Sequence, residues 1–552
     1  MEKKAILAFA LSMIVFLLWG LFYTWREERI GERYNKEKAT KATIEKEKVE
    51  LTEEGYINGS LSSDPDLNLP IIKDIKKVDK KDIHVETDLI DIILTNEGGK
   101  IKSLRLKEYI DDNNTPLELV SNKDSDELKL PLYLESDSRE ITYLLNKAIY
   151  ETPFEKLKLS SSEPDGTVTF SYLNEETGIK IIKGLTFHND SYRIDVKTSI
   201  SNPFAGEKGT YRIYWGPGIN SGKDKKDRYS YEGPTTFVNN EKIDDKPNKI
   251  DREARHEGDV LWTALQSKYF LAALIPPRGR GVASIIRKET DNNSSGNKDI
   301  NGGISIGLEF PSSGREEKID LILYAGPKEG ERLKSVELSL EKVIDYGWVR
   351  FLAVPLFWVL KFFYGFTYNY GVAIILLTIV IKVLFHPLTH MSFRSMKKMQ
   401  NIQPQMKIIQ ERYKNDKQKM NQEYIRLYKD NKVNPMGGCL PLLLQIPVFL
   451  ALYRLLAVSI ELRKAPFIWW INDLSEMDPY YITPILMGVS MFIQQKMSPS
   501  PPDPTQAKIT MMMPIIFTFM FLNVPAGLVL YWLVNNILSI TQQYLINKRA
   551  NV

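Results

Sequence analysis

A single lysine interrupts the apolar segment that runs from Gly371 to Leu388. The segment is long enough to cross the hydrocarbon core of a bilayer as a helix, and no Asp or Glu accompanies Lys382 inside it. A charge in a spanning helix is costly, and it usually faces a protein interior or a water-filled cavity. Lys382 therefore either extends to the nearby membrane interface or lines a wet cavity, and the sequence leaves both possibilities open.

Apolar segments are concentrated at the two ends of the 552-residue chain, whereas residues 30–340 have the composition of a soluble protein. The single cysteine, Cys439, excludes a disulfide framework, so a domain outside the cytoplasm must be held together by its own core. Ala5–Tyr23 is apolar or small throughout and follows two lysines. A cleaved signal peptide would have a shorter apolar core and a small-residue cleavage site. The sequence therefore predicts an uncleaved transmembrane anchor over residues 1–26.

The next two regions differ sharply in composition. Residues 27–80 are rich in Lys, Glu, Asn and Ser, and they carry too little apolar surface to fold, which predicts a disordered linker. Over residues 81–335, alternating or β-branched stretches such as His84–Thr95 are separated by clusters of turn residues. This pattern predicts a large all-β domain of antiparallel strands arranged as a sandwich.

The charge of one loop sets the predicted topology. Residues 391–438 carry eleven Lys and Arg against four Asp and Glu, and an excess of positive charge marks the cytoplasmic side of a membrane. With a cytoplasmic N-terminus and the β domain outside, only one crossing, at 368–390, can separate that domain from the loop. The aromatic segment 345–366 then lies in the membrane interface as an amphipathic helix. Further crossings are predicted near 439–460, 480–495, 509–522 and 524–546, with both termini cytoplasmic.

Two of these spans are short. Ile509–Leu522 contains 14 residues and covers about 21 Å as a helix, against about 30 Å for the hydrocarbon core. Tyr481–Ile493 is no longer. Such a mismatch favours local thinning of the bilayer, which lowers the barrier to moving polar chain across it.

The basic loop 391–438 has a pattern of its own. Apolar residues recur every three or four positions on both sides of a turn at Asn415 and Asp416, which predicts an antiparallel helical hairpin with a basic exterior. The cationic residues expected to contact cytoplasmic partners are Arg394, Lys397, Lys398, Lys407, Arg412, Lys414, Lys417 and Lys419.

Two spans carry a polar face. Gly371, Thr378 and Lys382 share one side of the first core span. Such residues commonly form hydrogen bonds between helices in membranes, and they can equally line a hydrated groove. Two polar faces and a cation without a carboxylate favour the groove. In the last span the polar face consists of Trp532, Asn535, Asn536, Ser539, Gln542 and Gln543.

Other kinds of site find little support. The chain has no G-x-x-x-x-G-K phosphate loop. His386 and His390 have a spacing that could hold a metal, but Pro387 lies between them and no third ligand is apparent, so we interpret them as interface residues. The core spans contain no Asp or Glu for a proton relay, which argues against a proton-coupled transporter. We therefore predict no catalytic residues, no metal and no cofactor.

Several longer motifs resemble one family. They include DYGW (345–348), HPLTH (386–390), ELRKAPF (461–467) and PAGLVLYW (525–532). With KVNPMGGCLPLLLQIPVFLALY (432–453) and DPYYITPILMGVSMFIQQKMSP (478–499), they resemble the YidC/Oxa/Alb family of membrane protein insertases over nearly the full length. WGPGI (215–219), SKYF (267–270) and YAGPKE (324–329) resemble the periplasmic domain of the long form of that family.

The resemblance implies a fold and a site. The fold would be a multi-domain membrane protein, in which an α-helical bundle of five core transmembrane helices and an N-terminal anchor helix carry a large periplasmic all-β supersandwich domain. The family's positively charged groove residue corresponds to Lys382, and Thr378 and Trp532 match other groove positions. Better-known long-form members have arginine there. Lysine keeps the charge but lacks the planar bidentate fork of arginine.

The resemblance also implies a function. The expected protein inserts integral membrane proteins and helps them fold in the bacterial inner membrane, and it is not an enzyme. Its implied partners are nascent membrane proteins, the SecYEG translocon with accessory Sec proteins, the ribosome and signal recognition particle pathway, and membrane lipids, with no direct nucleic-acid readout. Two alternatives remain from the residues alone. One is a transporter or lipid scramblase that uses the same groove, and the other is an enzyme or sugar-binding protein with its site in 80–330.

Overall fold

The computed structural model describes residues 79–549 apart from 122–128, 176, 203–208, 217, 221–230, 280–281, 289–302, 313, 337, 434–439 and 499–503. The predicted anchor, most of the predicted linker and Cys439 lie outside the described residues. The chain divides into two compact units. The first, here called the β unit, is Asp64–Asp345, and the second, the helical unit, includes Tyr346–Val552.

The β unit is built from strands that alternate buried and exposed side chains or are buried on both faces. Its described strands are β1 Asp82–Glu86, β2 Ile90–Thr95, β3 Lys100–Ile110, β4 Pro116–Glu118, β5 Tyr133–Ser136, β6 Lys156–Lys158, β7 Asp165–Leu173, β8 Lys180–His188, β9 Arg193–Ser201, β10 Gly209–Trp215, β11 Gly233–Val238, β12 Glu241–Asp244, β13 Glu253–His256, β14 Val260–Gln266, β15 Phe270–Ile275, β16 Ala283–Lys288, β17 Ile304–Ser312 and β18 Glu316–Pro327.

These strands form three sheets. The largest has eight strands in the order β12-β11-β14-β15-β18-β9-β8-β7, and every neighbouring pair is antiparallel. A five-stranded sheet has the order β13-β16-β17-β10-β5, and a second has the order β4-β3-β2-β1-β6. Only β1 and β6 pair in parallel among the described strands. The prediction of a large β domain ahead of a helical region is confirmed.

The core of the β unit contains one unusual group. Lys183 on β8 is completely buried, and its Nζ donates to the carbonyl oxygens of Gly98, at 3.3 Å, and Leu132, at 3.0 Å. Burial, with the nearby positive charge of Lys100, lowers the pKa of Lys183 to about 7. The two carbonyls satisfy the amine without a carboxylate.

The helices are, in chain order, α1 Arg139–Lys147, α2 Gly330–Ser335, α3 Arg350–Thr367, α4 Tyr370–Leu384, α5 His386–Arg412, α6 Lys417–Asp430, α7 Leu440–Val458, α8 Ile482–Met497, α9 Pro504–Phe521 and α10 Ala526–Arg549. The first two belong to the β unit and the others to the helical unit.

Local signals explain several helix ends. Tyr368 adopts a left-handed conformation (φ 51°) that ends α3, and the side chain of Asn369 accepts a hydrogen bond from the Val372 N–H at the start of α4. Asp416 caps α6 in the same way by accepting from the Lys419 N–H at 2.9 Å. The turn of the predicted hairpin therefore lies between Arg412 and Lys417.

The first core span, predicted near 368–390, is not one straight helix. α4 ends at Leu384 and the chain bends by 67° into α5, so the crossing itself stays a prediction. Pro387 lacks an N–H and its ring would clash with the carbonyl one turn earlier, so a helix cannot continue through it unchanged. The first arm of the hairpin consequently begins at His386 rather than at 391.

The helical unit has one main apolar core. Leu352 and Leu360 of α3 pack with Ala373 and Leu377 of α4 and with residues of α7 and α10. A smaller cluster of Met487, Phe521 and Val529 joins α8, α9 and α10. Gly488 permits the close approach of α8 to α9, since a Cβ there would lie 2.0 Å from Thr518 Oγ1.

By length and composition, one helical stretch of the described residues, Gly347–Thr367, can cross a membrane. The bent pair of α4 and α5 is a second candidate if the two helices form one span. Two further helices, Gln445–Val458 and Ala507–Phe521, are apolar but shorter. The interfacial position of 345–366 and the number of crossings stay predictions. The predicted short span Ile509–Leu522 overlaps α9, which has 18 residues and whose apolar stretch is Ala507–Phe521, and its short length stays a prediction.

Candidate functional site

A cavity of about 370 Å³ lies within the helical unit, and it is here called the core cavity. Helices α4, α5, α7, α8, α9 and α10 all contribute to its wall. Its lining is Ile381, Lys382, Phe385, Thr389, Phe393, Met396, Gln445, Val448, Met491, Gln494, Gln495, Ser498, Thr510, Met513, Pro514, Phe517, Trp532, Asn535, Asn536 and Ser539.

Lys382 reaches the core cavity from the last turn of α4. Its Nζ donates to Ser539 Oγ at 2.5 Å and to Asn535 Oδ1 at 3.2 Å, both on α10. An ammonium has three N–H donors, so one remains without an acceptor among the described residues. The lining, as far as the structure describes it, contains no Asp or Glu, and the positive charge is therefore held by neutral dipoles alone.

The geometry of α10 orients these two acceptors. Ser539 Oγ donates its own proton to the Asn535 carbonyl oxygen at 2.7 Å, which directs an oxygen lone pair toward the ammonium. Asn535 presents its side-chain oxygen to the same group. Asn535 and Ser539 are one helical turn apart, so both face Lys382. Two neutral acceptors on one face of α10 therefore hold the ammonium.

The other polar residues of α10 connect neighbouring helices. Asn536 Nδ2 donates to Ser490 Oγ on α8 at 3.0 Å, and Gln542 Nε2 donates to Thr389 Oγ1 on α5 at 2.9 Å. Gln543 Nε2 donates to the Met497 carbonyl oxygen at the end of α8, also at 2.9 Å. The sequence left two roles open for the polar face of α10, and the helix has both. It forms hydrogen bonds to neighbouring helices, and it lines part of the core cavity.

An aromatic cluster adjoins this polar region. The Trp532 ring lies edge-on to Phe449, with ring centroids 4.8 Å apart, and 5.4 Å from the Phe521 ring. Phe517 stacks on Trp532 at 6.1 Å. Since both Trp532 and Phe517 line the core cavity, the cavity has an apolar wall beside its charged one.

Two predicted groove residues lie elsewhere. Thr378 is buried and donates to the Ile374 carbonyl oxygen at 2.6 Å within its own helix, and it does not line the core cavity. Gly371 lies near the opposite end of α4 and packs against Phe467, whose ring would be 2.0 Å from an added Cβ. Helical periodicity identifies residues on one face, but it does not identify which part of that face packs against another segment.

Several lining residues were not predicted. Gln494 and Gln495 of α8, Gln445 of α7 and Thr389 of α5 supply polar groups, while Met491 supplies a flexible apolar one. The glutamines were visible in the sequence as polar residues inside or at the end of apolar segments. Thr510, Met513 and Phe517 recur every three or four residues of α9, a spacing that indicates a common face.

The hairpin has its own small core. Ile402, Met406 and Val433 are buried, and Tyr424 and Leu427 pack against them. Gln400 Nε2 on α5 donates to the Met497 carbonyl oxygen at 2.9 Å, the same oxygen that accepts from α10. Of the predicted cationic contacts, Lys397 is half-buried, and Arg394, Lys398, Lys407, Arg412, Lys414, Lys417 and Lys419 are exposed.

The predicted histidine pair lies on this helix. The ring centroids of His386 and His390 are 6.0 Å apart. The described residues contain no group of three or more His, Cys, Asp or Glu that could hold a metal ion.

Comparison with known families accounts for both units. Residues 82–359 match the family model described as the YidC periplasmic domain, and residues 362–551 match the model described as 60Kd inner membrane protein. The chain belongs to the YidC family of membrane protein insertases. The resemblance found in the sequence motifs is therefore confirmed.

Individual relatives match most or all of the chain. The membrane protein insertase YidC of Syntrophus aciditrophicus is 39% identical over 566 residues, which cover 100% of both chains. That of Geotalea daltonii is 42% identical over 85% of this chain and 87% of the relative. A crystal structure of an active YidC insertase, with its first transmembrane domain resolved, is 18% identical with a TM-score of 0.37, and the match covers 85% of this chain and 93% of that chain.

In this YidC family member, the two family matches meet close to the division between the two compact units. The YidC periplasmic domain match extends to residue 359, and the β unit ends at Asp345. The core cavity and the hairpin both fall within the match to the inner membrane protein model, which begins at residue 362. The charged cavity is thus a feature of the helical unit alone.

Proposed function

We propose that this chain inserts integral membrane proteins into the bacterial inner membrane and assists their folding, with the core cavity as the groove that receives a polar part of the substrate. The observation that carries this proposal is Lys382, whose ammonium is held by Asn535 and Ser539 in a cavity whose described lining contains no acidic residue. A partly buried cation without a carboxylate attracts a negative group from elsewhere, because the low local dielectric strengthens their interaction.

The chemistry of the cavity wall fits a polypeptide with both polar and apolar parts. The amides of Gln445, Gln494 and Gln495 offer donors and acceptors to a peptide backbone. Methionine side chains are flexible and polarizable, and they adapt to varied apolar side chains. Met396, Met491 and Met513 supply that adaptability on three different helices. The groove therefore recognises a class of segment rather than one sequence.

Such a substrate has an acidic, hydrophilic tail and an apolar span, and these two parts determine the order of events. An acidic, hydrophilic tail is drawn part-way into the core cavity by Lys382. The apolar span of the substrate then moves along α8 and α10 into lipid, where the exposed apolar residues Ile485, Val489 and Ile493 of α8 offer it a matching surface. No covalent bond is made or broken.

The driving force is burial of apolar surface. Moving apolar side chains from water into an apolar environment contributes about 25 cal/mol per Å². A substrate span of about 20 residues has enough such surface to outweigh the cost of transferring a short polar tail. Insertion of this kind needs no ATP.

We further propose that the basic hairpin receives the nascent chain, the ribosome or a targeting factor of the signal recognition particle pathway on the cytoplasmic side. Its exposed cations support this role, since their field attracts acidic surfaces over about one Debye length, roughly 8–10 Å at physiological salt. In this arrangement both termini are cytoplasmic and the β unit is periplasmic. Cooperation with the SecYEG translocon and its accessory proteins is also part of the proposal, and membership of the YidC family supports it.

Reconstitution tests the proposal. The purified protein is placed in liposomes and supplied with a labelled single-span substrate that has an acidic tail, and protease protection measures insertion. We expect protected substrate in proteoliposomes and none in protein-free liposomes. Transfer of labelled lipid or solute without substrate insertion would contradict the proposal and favour a scramblase or transporter that uses the same cavity.

A further inference from the structure

Two arginines of the helical unit lie beside one turn, and nothing in the insertion mechanism uses them. The 3₁₀ turn Gly347–Val349 leads into α3, and the Arg350 N–H donates to the Gly347 carbonyl oxygen, so these two residues adjoin. Arg454 of α7 reaches the same turn, since a Cβ added at Gly347 would lie 3.9 Å from Arg454 Nε. Two guanidinium groups from distant parts of the sequence are therefore brought to one turn.

Neither arginine has an acceptor among the residues that the structure describes. Arg350 Nε is buried and has no hydrogen-bond partner there, and Arg454 is exposed. Neither side chain forms an ion pair with a described residue. Arginine stays protonated in proteins, so both positive charges are permanent. An unpaired buried donor and two like charges beside one turn are both costly, and one shared anion would remove both costs.

The surroundings of the turn indicate where that anion lies. The apolar stretch Gly347–Thr367 begins here. Whether this stretch lies in the membrane interface, as predicted, or crosses the bilayer, its first residues lie near the lipid headgroups. Trp348, within the turn, is 73% exposed, and tryptophan is enriched at membrane–water interfaces. Arg454 lies one helical turn before the end of the apolar helix α7 at Val458. An anion that reaches both arginines is therefore at the membrane surface.

We propose that Arg350 and Arg454 bind the phosphate of an anionic phospholipid. Each planar guanidinium can form two parallel hydrogen bonds with phosphate oxygens. In a zwitterionic lipid the ammonium of the headgroup offsets the phosphate charge, whereas phosphatidylglycerol keeps its negative charge for the two arginines. α3 also exposes Trp358 and Phe362, whose rings stack with centroids 6.3 Å apart and offer an apolar surface to acyl chains.

The site depends on the proposed membrane placement of the helical unit and not on the role of Lys382. Arg350 and Arg454 are not among the residues that line the core cavity. Lipid binding and insertion can therefore be measured separately, and an absence of lipid binding would not contradict the proposed function.

Native mass spectrometry of the full-length protein, purified in detergent and stripped of lipid, measures the binding of the first lipid molecule. The probes are phosphatidylglycerol and phosphatidylethanolamine with identical acyl chains, so that only the headgroup differs. Glycerol 3-phosphate is added as a competitor that represents a water-soluble phosphate compound. We expect phosphatidylglycerol to bind about tenfold more tightly than phosphatidylethanolamine, and glycerol 3-phosphate not to displace it at equal concentration.

Substitutions locate the site. Arg350→Gln and Arg454→Gln should each weaken phosphatidylglycerol binding about tenfold, because each removes hydrogen bonds between charged groups. The double variant should bind the two lipids alike. Lys361→Gln is the matched control, since it removes one positive charge from the same helix about 17 Å along its axis from Arg350. Lys361 Nζ lies 5.6 Å from the centroid of the Phe357 ring, and its loss should leave the lipid preference unchanged.

Thermal unfolding shows whether the variants remain folded. The proposal is overturned if phosphatidylethanolamine binds as tightly as phosphatidylglycerol, or if the folded double variant keeps the preference of the parent chain. It is also overturned if Lys361→Gln weakens binding as much as the arginine substitutions do. Displacement of the lipid by glycerol 3-phosphate at equal concentration would assign the two arginines to a water-soluble phosphate compound instead.

Discussion

Lys382 and Ser539 are joined by a hydrogen bond of 2.5 Å between two helices that are 157 residues apart in sequence. This hydrogen bond holds the Lys382 ammonium beside α10. Lys382 is the only charged residue in the described lining of the core cavity, so the bond fixes the position of that charge. The interpretation that Lys382 simply extends to the membrane interface is therefore not needed to explain its position.

The charge of Lys382 should matter more than its shape. Lys382→Arg keeps the charge and can still donate to Asn535 and Ser539, so we expect it to retain insertion. Lys382→Ala should lower the insertion of substrates with acidic tails by about tenfold or more, because a charged hydrogen-bonding partner is lost. The measurement is protease protection in proteoliposomes, with a neutral-tailed substrate as the control. Equal insertion of acidic tails by the alanine variant would contradict the role of the charge.

Asn535 and Ser539 should influence insertion, because their hydrogen bonds fix the position of the Lys382 ammonium. In Ser539→Ala the ammonium loses its nearest acceptor, and we expect insertion to fall several-fold while the protein remains folded. Thr541→Ala is the matched control, because Thr541 is exposed on the same helix and donates only to the Ile537 carbonyl oxygen at 2.9 Å. If both variants behave alike, the hydrogen bond to Ser539 has no specific role.

The exposed cations of the hairpin should act by long-range attraction. Replacing Lys407, Lys414, Lys417 and Lys419 with Gln removes four exposed charges without touching the buried Ile402 and Met406. We expect slower insertion of ribosome-bound substrates at low salt, and a smaller difference from the parent at high salt, because salt screens surface charges. Deletion of 400–430 should impair insertion more strongly. A salt-independent defect, or none, would argue against a receiving role.

The β unit should not be required for insertion. The core cavity and the hairpin lie in the helical unit, so removal of about 85–320 should preserve most activity if the anchor and the segment 346–366 are retained. Complementation of a strain depleted of its own insertase is the measurement, with membrane levels checked by immunoblot. Loss of insertion at normal membrane levels would transfer the function to the β unit.

Stability of the β unit should rise with pH above neutrality. The pKa of Lys183 is about 7 in the folded chain against 10.5 for an ordinary lysine, because burial disfavours its charged form. Between these values the unfolded chain binds more protons, so the free energy of unfolding increases with pH, by up to about 1.4 kcal/mol per unit. Lys328, whose pKa burial lowers to about 8, contributes in the same direction.

Chemical denaturation of residues 79–345 between about pH 7 and pH 9 measures this dependence. Lys183→Met should reduce the slope, and Lys328 accounts for the part that remains. Lys197→Met, on an exposed position of the neighbouring strand, should leave the slope unchanged. A slope that Lys183→Met leaves unchanged would show that Lys183 is not one of the groups responsible.

Much of the helical unit could be predicted because membrane helices leave a strong signal. The apolar segments gave the approximate positions of α4 and α7–α10, and helical periodicity brought Trp532, Asn535 and Ser539 onto one face. Periodicity could not show that Gly371 packs against Phe467, since this contact joins segments far apart in sequence. Pro387 indicates the bend after Leu384, because a helix cannot continue unchanged through a residue that lacks an N–H.

The β unit was less predictable in detail. Turn clusters and β-branched stretches identified a large β domain, but the order of strands within the sheets depends on non-local pairing. β5 pairs with β10, and β10 pairs with β17, across long connections. The register that places Tyr214 opposite Tyr133 on one side and Gly307 on the other depends on these pairings, so no local motif indicates it.

The bend between α4 and α5 has a mechanical consequence. α5 is the first arm of the hairpin, and through Thr389, Phe393 and Met396 it is also a wall of the core cavity. Its Gln400 shares the Met497 carbonyl oxygen with Gln543 of α10. A shift of α5 would therefore move Thr389, Phe393 and Met396, and with them one wall of the space around Lys382.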